Sequence, residues 1–223
     1  MKNVLLVALA VLLSACGGKP PAPDWKLDSI SLIEKYKKAE LKGENKLADR
    51  YFEQALAAAG SAARLEETAK LQLIRCATRQ ASLSFEPCTG YLELAKFGTS
   101  AEDEAYHRFL GGQRDSLDSS KLPAQYRDFA SNRDAAKNLG LLQKIDDPLS
   151  RLIAASVAAM RKQADEATLS LAAETASEQG WRKPLLVYLK LLESRADERG
   201  DTAGLEKLRA RIRLAEEPPQ TTK

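Results

Sequence analysis

What is scarce in this 223-residue chain narrows its chemistry before any pattern is read. A single histidine, His107, and three cysteines, Cys16, Cys76 and Cys88, with no closely spaced cysteine pair among them, lack the ligand spacing of a structural zinc centre. No H-E-x-x-H, G-x-S-x-G or phosphate-cradling glycine loop occurs, so no zinc protease, serine-hydrolase elbow or nucleotide P-loop is encoded. Neither a metal nor a cofactor is called for. Aromatic residues are only 6% of the chain, and no stretch alternates apolar and polar residues as a half-buried strand would. Charge of neither sign dominates: the formal net charge is +3, whereas a nucleic-acid binder needs a strong basic excess on one face. An apolar run of about twenty residues, the length that crosses a bilayer, is also missing.

What is present begins at the N-terminus. Lys2 precedes an apolar run from Val4 to Leu13, which is followed by Ser14, Ala15, Cys16, Gly17 and Gly18. A charged start, about ten apolar residues and a small-residue cleavage site make a secretory signal rather than a membrane span. Leu13-Ser14-Ala15-Cys16 further resembles the lipobox of bacterial lipoprotein precursors. That resemblance implies cleavage before Cys16, a diacylglycerol on its thiol and an acylated amine. Two or more acyl chains hold a protein stably to a membrane, since each buried methylene contributes about 0.8 kcal/mol. Gly17, where Asp would mark retention at the inner membrane, implies the periplasmic face of the outer membrane of a Gram-negative cell. Residues 16–24, with three prolines and two glycines, are expected to be an extended spacer.

Beyond the spacer the text is helical, because apolar residues recur at threes and fours. Leu149, Leu152, Ile153, Val157 and Met160 are the clearest case, opened by Asp146 and Asp147 as caps and by Pro148 at the first helical position. Further helices are predicted at 28–42, 45–59, 61–83, 87–97, 100–111, 164–179, 183–199 and 202–216. Gly43, Gly60, Gly98, Gly180 and Gly200 fall at the joints, as left-handed terminators would. Thr99 and Glu102 are spaced as a capping box.

Such short joints imply antiparallel hairpins. Gly43-Glu44, then Ala48, Phe52 and Ala55, resembles the second half of a tetratricopeptide repeat (TPR), where small residues and one aromatic let the second helix pack into the first. The turns at Gly180 and Gly200 repeat at a spacing of twenty. The fold class is therefore all-α, read as a TPR-like α-solenoid of irregular hairpins, with a compact helical bundle as the alternative. The expected organisation is a signal at 1–15, the lipidated spacer at 16–24 and N-terminal hairpins at 25–112. An irregular connector at 113–146, C-terminal hairpins at 147–216 and a disordered tail at 217–223 complete it. Within the connector only Leu122, Tyr126 and Phe129, after Pro123, suggest a short helix.

With Cys16 acylated, Cys76 and Cys88 remain in an oxidising compartment. An antiparallel hairpin can bring them within the roughly 6 Å between Cα atoms that a disulfide requires. Trp25, Tyr36, Tyr51 and Phe52 are the candidate binding aromatics, although aromatics at helical spacing equally serve as core. Glu193-Ser194 resembles the Glu-Ser pair of lytic transglycosylases but lacks the motifs that accompany it. The mixed charges from Arg195 to Arg213 read as a solvated face. These features imply a non-catalytic adaptor that binds another envelope protein, held to the membrane by its lipid. Binding of peptidoglycan or a small ligand is the alternative, with cell-wall catalysis behind it.

Overall fold

The computed structural model describes residues 22–217. The signal, Cys16, the spacer as far as residue 21, and residues 218–223 of the tail lie outside the described residues. The described residues form eleven α-helices and two short 3-10 turns, with no strand among them. The helices are α1 (Asp24–Lys42), α2 (Asn45–Ser61), α3 (Leu65–Gln80), α4 (Thr89–Ala95), α5 (Ala101–Leu110) and α6 (Ala124–Ser131). They continue with α7 (Asn138–Gln143), α8 (Pro148–Met160), α9 (Glu166–Glu178), α10 (Arg182–Glu198) and α11 (Thr202–Glu216).

The first hairpin carries a core of its own. Gly43, left-handed at φ 81°, ends α1, and its amide and that of Glu44 return to the carbonyls of Glu40 and Ala39. Ile33, Tyr36 and Ala39 of α1 are buried against Ala48, Phe52, Ala55 and Ala59 of α2, with Leu71 of α3 closing the cluster. Four alanines let the two backbones approach closely, and the Tyr36 and Phe52 rings meet at 5.2 Å. Helix α1 begins four residues earlier than its apolar spacing predicts, because the carbonyl of Pro23 accepts from the amides of Lys26 and Leu27 and so extends the first turn.

Three predicted boundaries are corrected. Helix α2 runs through Gly60 to Ser61, and the left-handed residue after it is Ala63 at φ 51°. Gly60 is therefore no terminator, and α3 starts at Leu65 rather than 61. Helix α5 is capped by Ser100, whose hydroxyl accepts from the Asp103 amide at 3.1 Å. Thr99 is unavailable as the cap because its hydroxyl bonds that of Tyr91 at 3.1 Å.

The stretch 113–146, expected as an irregular connector, is irregular in backbone but central in packing. Asp118 caps the turn Ser119–Lys121, Asp134 caps the turn Ala135–Lys137, and between and after them lie α6 and α7. Leu122, Tyr126, Phe129, Ala130, Leu142 and Ile145 all enter the larger core. Each short piece presents only one or two large side chains, so no periodic stripe announces that burial.

Helix α8 is enclosed. Asp147 accepts from the Ser150 amide at 2.7 Å and Pro148 sits in the first turn, as the text predicts. Leu152, Ala154, Val157 and Ala158 are fully buried, and α8 packs against α3, α5, α6, α7 and α9. Helices α9, α10 and α11 follow as successive hairpins, and α10 returns to touch α1. Lys183 of α10 there donates to the buried carboxylate of Glu40. The architecture is thus all-α, with hairpins at either end of the described chain and an enclosed helix between them.

Cys76 of α3 and Cys88, which precedes α4, form a disulfide with their Cα atoms 5.8 Å apart. It ties the loop after α3 back to that helix, beside an ion pair of Arg79 with Glu86 at 2.8 Å.

Candidate interaction surface

The four aromatics proposed from sequence do not form one surface. Tyr36 and Phe52 are 0% and 1% exposed, so both are core residues of the first hairpin and present no ring to a partner. Burial raises the pKa of the Tyr36 hydroxyl, which donates to the Arg75 carbonyl at 3.3 Å. The guanidinium of Arg75 covers the Phe52 ring, 4.6 Å from its centroid. The correction follows from helical geometry: positions 36 and 52 continue the apolar stripes of α1 and α2. Tyr51, one position off that stripe, is half-buried, with the Lys35 ammonium 5.9 Å from its ring. Trp25 is half-buried in the first turn of α1.

A different set of residues forms the cleft in which the most elements meet. Lys37 of α1, Ile74 and Thr78 of α3, Tyr106 of α5, Tyr126 of α6 and Ile153 of α8 line a cavity of about 250 Å³. Tyr126 is fixed there by ring contacts with Phe109 at 4.9 Å and Tyr106 at 5.8 Å. Burial pushes its hydroxyl pKa up to about 12, opposed by hydrogen bonds with Ser150 and Tyr106. Desolvation likewise holds the Tyr106 hydroxyl well above the ordinary tyrosine range. Both phenols stay protonated at any physiological pH. The nearby Asp147 carboxylate is engaged by the Ser150 amide, and Gln125 donates to the Ser150 hydroxyl at 3.3 Å.

Walls of apolar side chains and neutral tyrosines suit a protruding side chain of a partner. The volume falls below the roughly 300–1,000 Å³ of sites that enclose a small-molecule ligand. Sequence reasoning missed this cleft because its walls come from five helices far apart in the chain. The only local signal was Pro123 opening the helix that carries Tyr126.

The other singled-out residues are accounted for by packing and ion pairs. The His107 ring lies 4.9 Å from that of Tyr91 and is half-buried. Burial, helped by the neighbouring Arg108, pushes its imidazole pKa down. Glu193 of α10 accepts from Arg209 of α11 at 2.8 Å. Arg199 and Arg211 meet Glu166 and Glu174, so the mixed charges of the last helices are largely matched between neighbours. Among the described residues no three His, Cys, Asp or Glu side chains are grouped to hold a metal, and no helix is long and apolar enough to cross a membrane. No family model, curated protein or solved structure matches the chain.

Proposed function

We propose that this chain is a lipid-anchored, non-catalytic adaptor at the periplasmic face of a Gram-negative outer membrane, where it holds another envelope protein. The observation that carries the reading is the Leu13-Ser14-Ala15-Cys16 lipobox placed directly before a wholly helical body. Helical hairpins offer long side-by-side faces on which a protein partner can lie. The cleft lined by Tyr106 and Tyr126 supplies an anchoring point for one apolar side chain at such a face. Burial of Ala48, Phe52 and Ala55 against α1 supports the tetratricopeptide-like reading for the first hairpin. The contact of α10 with α1 and the enclosure of α8 favour a more closed arrangement than an open solenoid, in which each repeat touches only its neighbours.

A glycan-binding reading loses its main support, since Tyr36 and Phe52 cannot stack on sugar rings from inside a core. Two measurements test the adaptor. Metabolic labelling with a palmitate analogue is expected to mark the wild type and not Cys16→Ala; equal label in both would remove the lipid anchor. A crosslinked pull-down from solubilised envelopes is expected to return one recurrent stoichiometric protein. Gln125→Trp, at an exposed position that lines the cleft, is expected to weaken that capture while the helical far-UV spectrum persists. Retention on purified peptidoglycan without any protein partner would overturn the reading.

A further inference from the structure

Three guanidinium groups gather on one side of the molecule where helix C-termini meet. Arg114 follows α5, Arg133 follows α6, and Arg161 caps α8. Arg161 donates to the carbonyls of Gly112 and Gln113 at 3.0 and 3.1 Å, Arg133 reaches the Arg114 carbonyl at 3.5 Å, and Arg114 donates to the Gln163 side chain. The Arg161 guanidinium also lies 5.8 Å from the Phe129 ring of α6. Every acceptor in this set is neutral. Among the described residues, none of the three arginines forms an ion pair with a carboxylate. Arg199, Arg209 and Arg211 on the later helices each have a glutamate.

Stabilisation of helix ends accounts for only part of this cluster. Each C-terminus carries about half a negative elementary charge, so three of them offset at most roughly 1.5 of the three positive charges. Moreover, the Nη1 of Arg161 and the Nε of Arg114 are buried and donate to nothing among the described residues. A buried donor of this kind is costly unless it is given an acceptor.

We propose that the Arg114, Arg133 and Arg161 cluster binds a phosphate monoester, either free or carried on a lipid headgroup. A monoester bears about −1.5 to −2 at neutral pH with three acceptor oxygens, which matches the uncompensated charge better than a single carboxylate does. Guanidinium forks fit such oxygens in pairs, and Arg133 is exposed with only one of its nitrogens engaged, at the Arg114 carbonyl. Burial and the repulsion of Arg114 and Arg133 push the Arg161 pKa down to about 10, an electrostatic tension that a bound dianion relieves.

The site is independent of the adaptor reading and is tested without it. The whole mature chain bearing Cys16→Ala is titrated calorimetrically with inorganic phosphate, against chloride and acetate at matched ionic strength. Saturable one-site binding of phosphate, absent with chloride and weaker by about tenfold with acetate, is expected. Arg133→Gln, an exposed position whose loss leaves the fold intact, is expected to weaken binding by about tenfold, as for loss of one charge-assisted bond. Arg161→Gln is expected to abolish it, with the melting curve recorded to exclude unfolding. Flotation with phosphatidylcholine vesicles, with and without phosphatidic acid, assigns the source. Binding only to phosphatidic-acid vesicles that is lost in Arg133→Gln supports the lipid-borne form. No saturation above chloride together with no vesicle binding, acetate binding equal to phosphate, or unchanged affinity in Arg133→Gln, would overturn the site.

Discussion

The first hairpin and the body around α8 solve the same problem, burying apolar side chains between helices, in different ways. In the hairpin, two long neighbouring helices meet along alanine-lined stripes, and the core is drawn from sequence-local residues: Ile33, Tyr36, Ala39, Ala48, Phe52, Ala55 and Ala59. In the body, one helix is buried on all sides by pieces that arrive from Leu41 to Ile212, including the short helices α6 and α7. A core built from neighbours can form early and locally, whereas one built from distant segments requires the chain to close first. The two regions are joined by α3, which gives Leu71 to one core and Leu73 and Ala77 to the other, and by the Lys183–Glu40 pair. The hairpin and body therefore differ in how independently they hold.

Substitutions that separate the two regions test this difference. Phe52→Ala and Leu152→Ala each remove a fully buried side chain and are expected to cost about 3–5 kcal/mol. Their hydrogen-exchange maps should differ: Phe52→Ala loosens amides of α1 and α2 first, while Leu152→Ala lowers protection throughout the body. Identical maps would mean that the hairpin has no separate opening. Cys88→Ser removes the link across a twelve-residue separation and is expected to cost about 2–3 kcal/mol in a denaturant titration. The reduced wild type should match it.

Lys183→Met leaves the nearly buried Glu40 carboxylate without its cation and is expected to cost about 2 kcal/mol. Adding Glu40→Gln should recover most of that loss, which a purely steric role for Lys183 would not predict. Gly60→Ala is expected to stabilise the hairpin by about 0.5–1 kcal/mol, since Gly60 lies in helical backbone with nothing within 4 Å of an added Cβ. The same change at Gly43, left-handed at φ 81°, is expected to destabilise it.

Acidification through the histidine range acts on the body, where His107 lies. Burial lowers the His107 pKa below its unfolded value near 6.5, so the unfolded state binds the proton more readily. Stability is therefore fully present above that value and declines as pH falls through it, until the folded-state pKa is passed. His107→Gln is expected to flatten this part of the pH–stability curve; an unchanged slope would locate the titration elsewhere.

The features readable from sequence were those whose cause is local. The cap at Asp147 with Pro148, the turns at Gly43, Gly180 and Gly200, and the spacing that brings Cys76 near Cys88 each depend on a handful of adjacent residues. The misreadings share the opposite origin. Thr99 resembles a cap until Tyr91 claims its hydroxyl, and Gly60 resembles a terminator until the helix continues past it. Tyr36 and Phe52 are chemically suited to binding, and only their position on the stripe that α1 and α2 share decides that they are core.

The sequence by itself determined that the described chain is helical and where most of its helices begin and end. Backbone hydrogen bonds, caps and turns act over three or four residues, so a local reading suffices for them. Tertiary structure alone decided that α8 is enclosed, that 113–146 belongs to the core, and that Tyr106 and Tyr126 wall one cleft while Arg114, Arg133 and Arg161 share another face. Burial and electrostatic repulsion depend on distance in space, and the residues they couple here come from helices far apart in the chain.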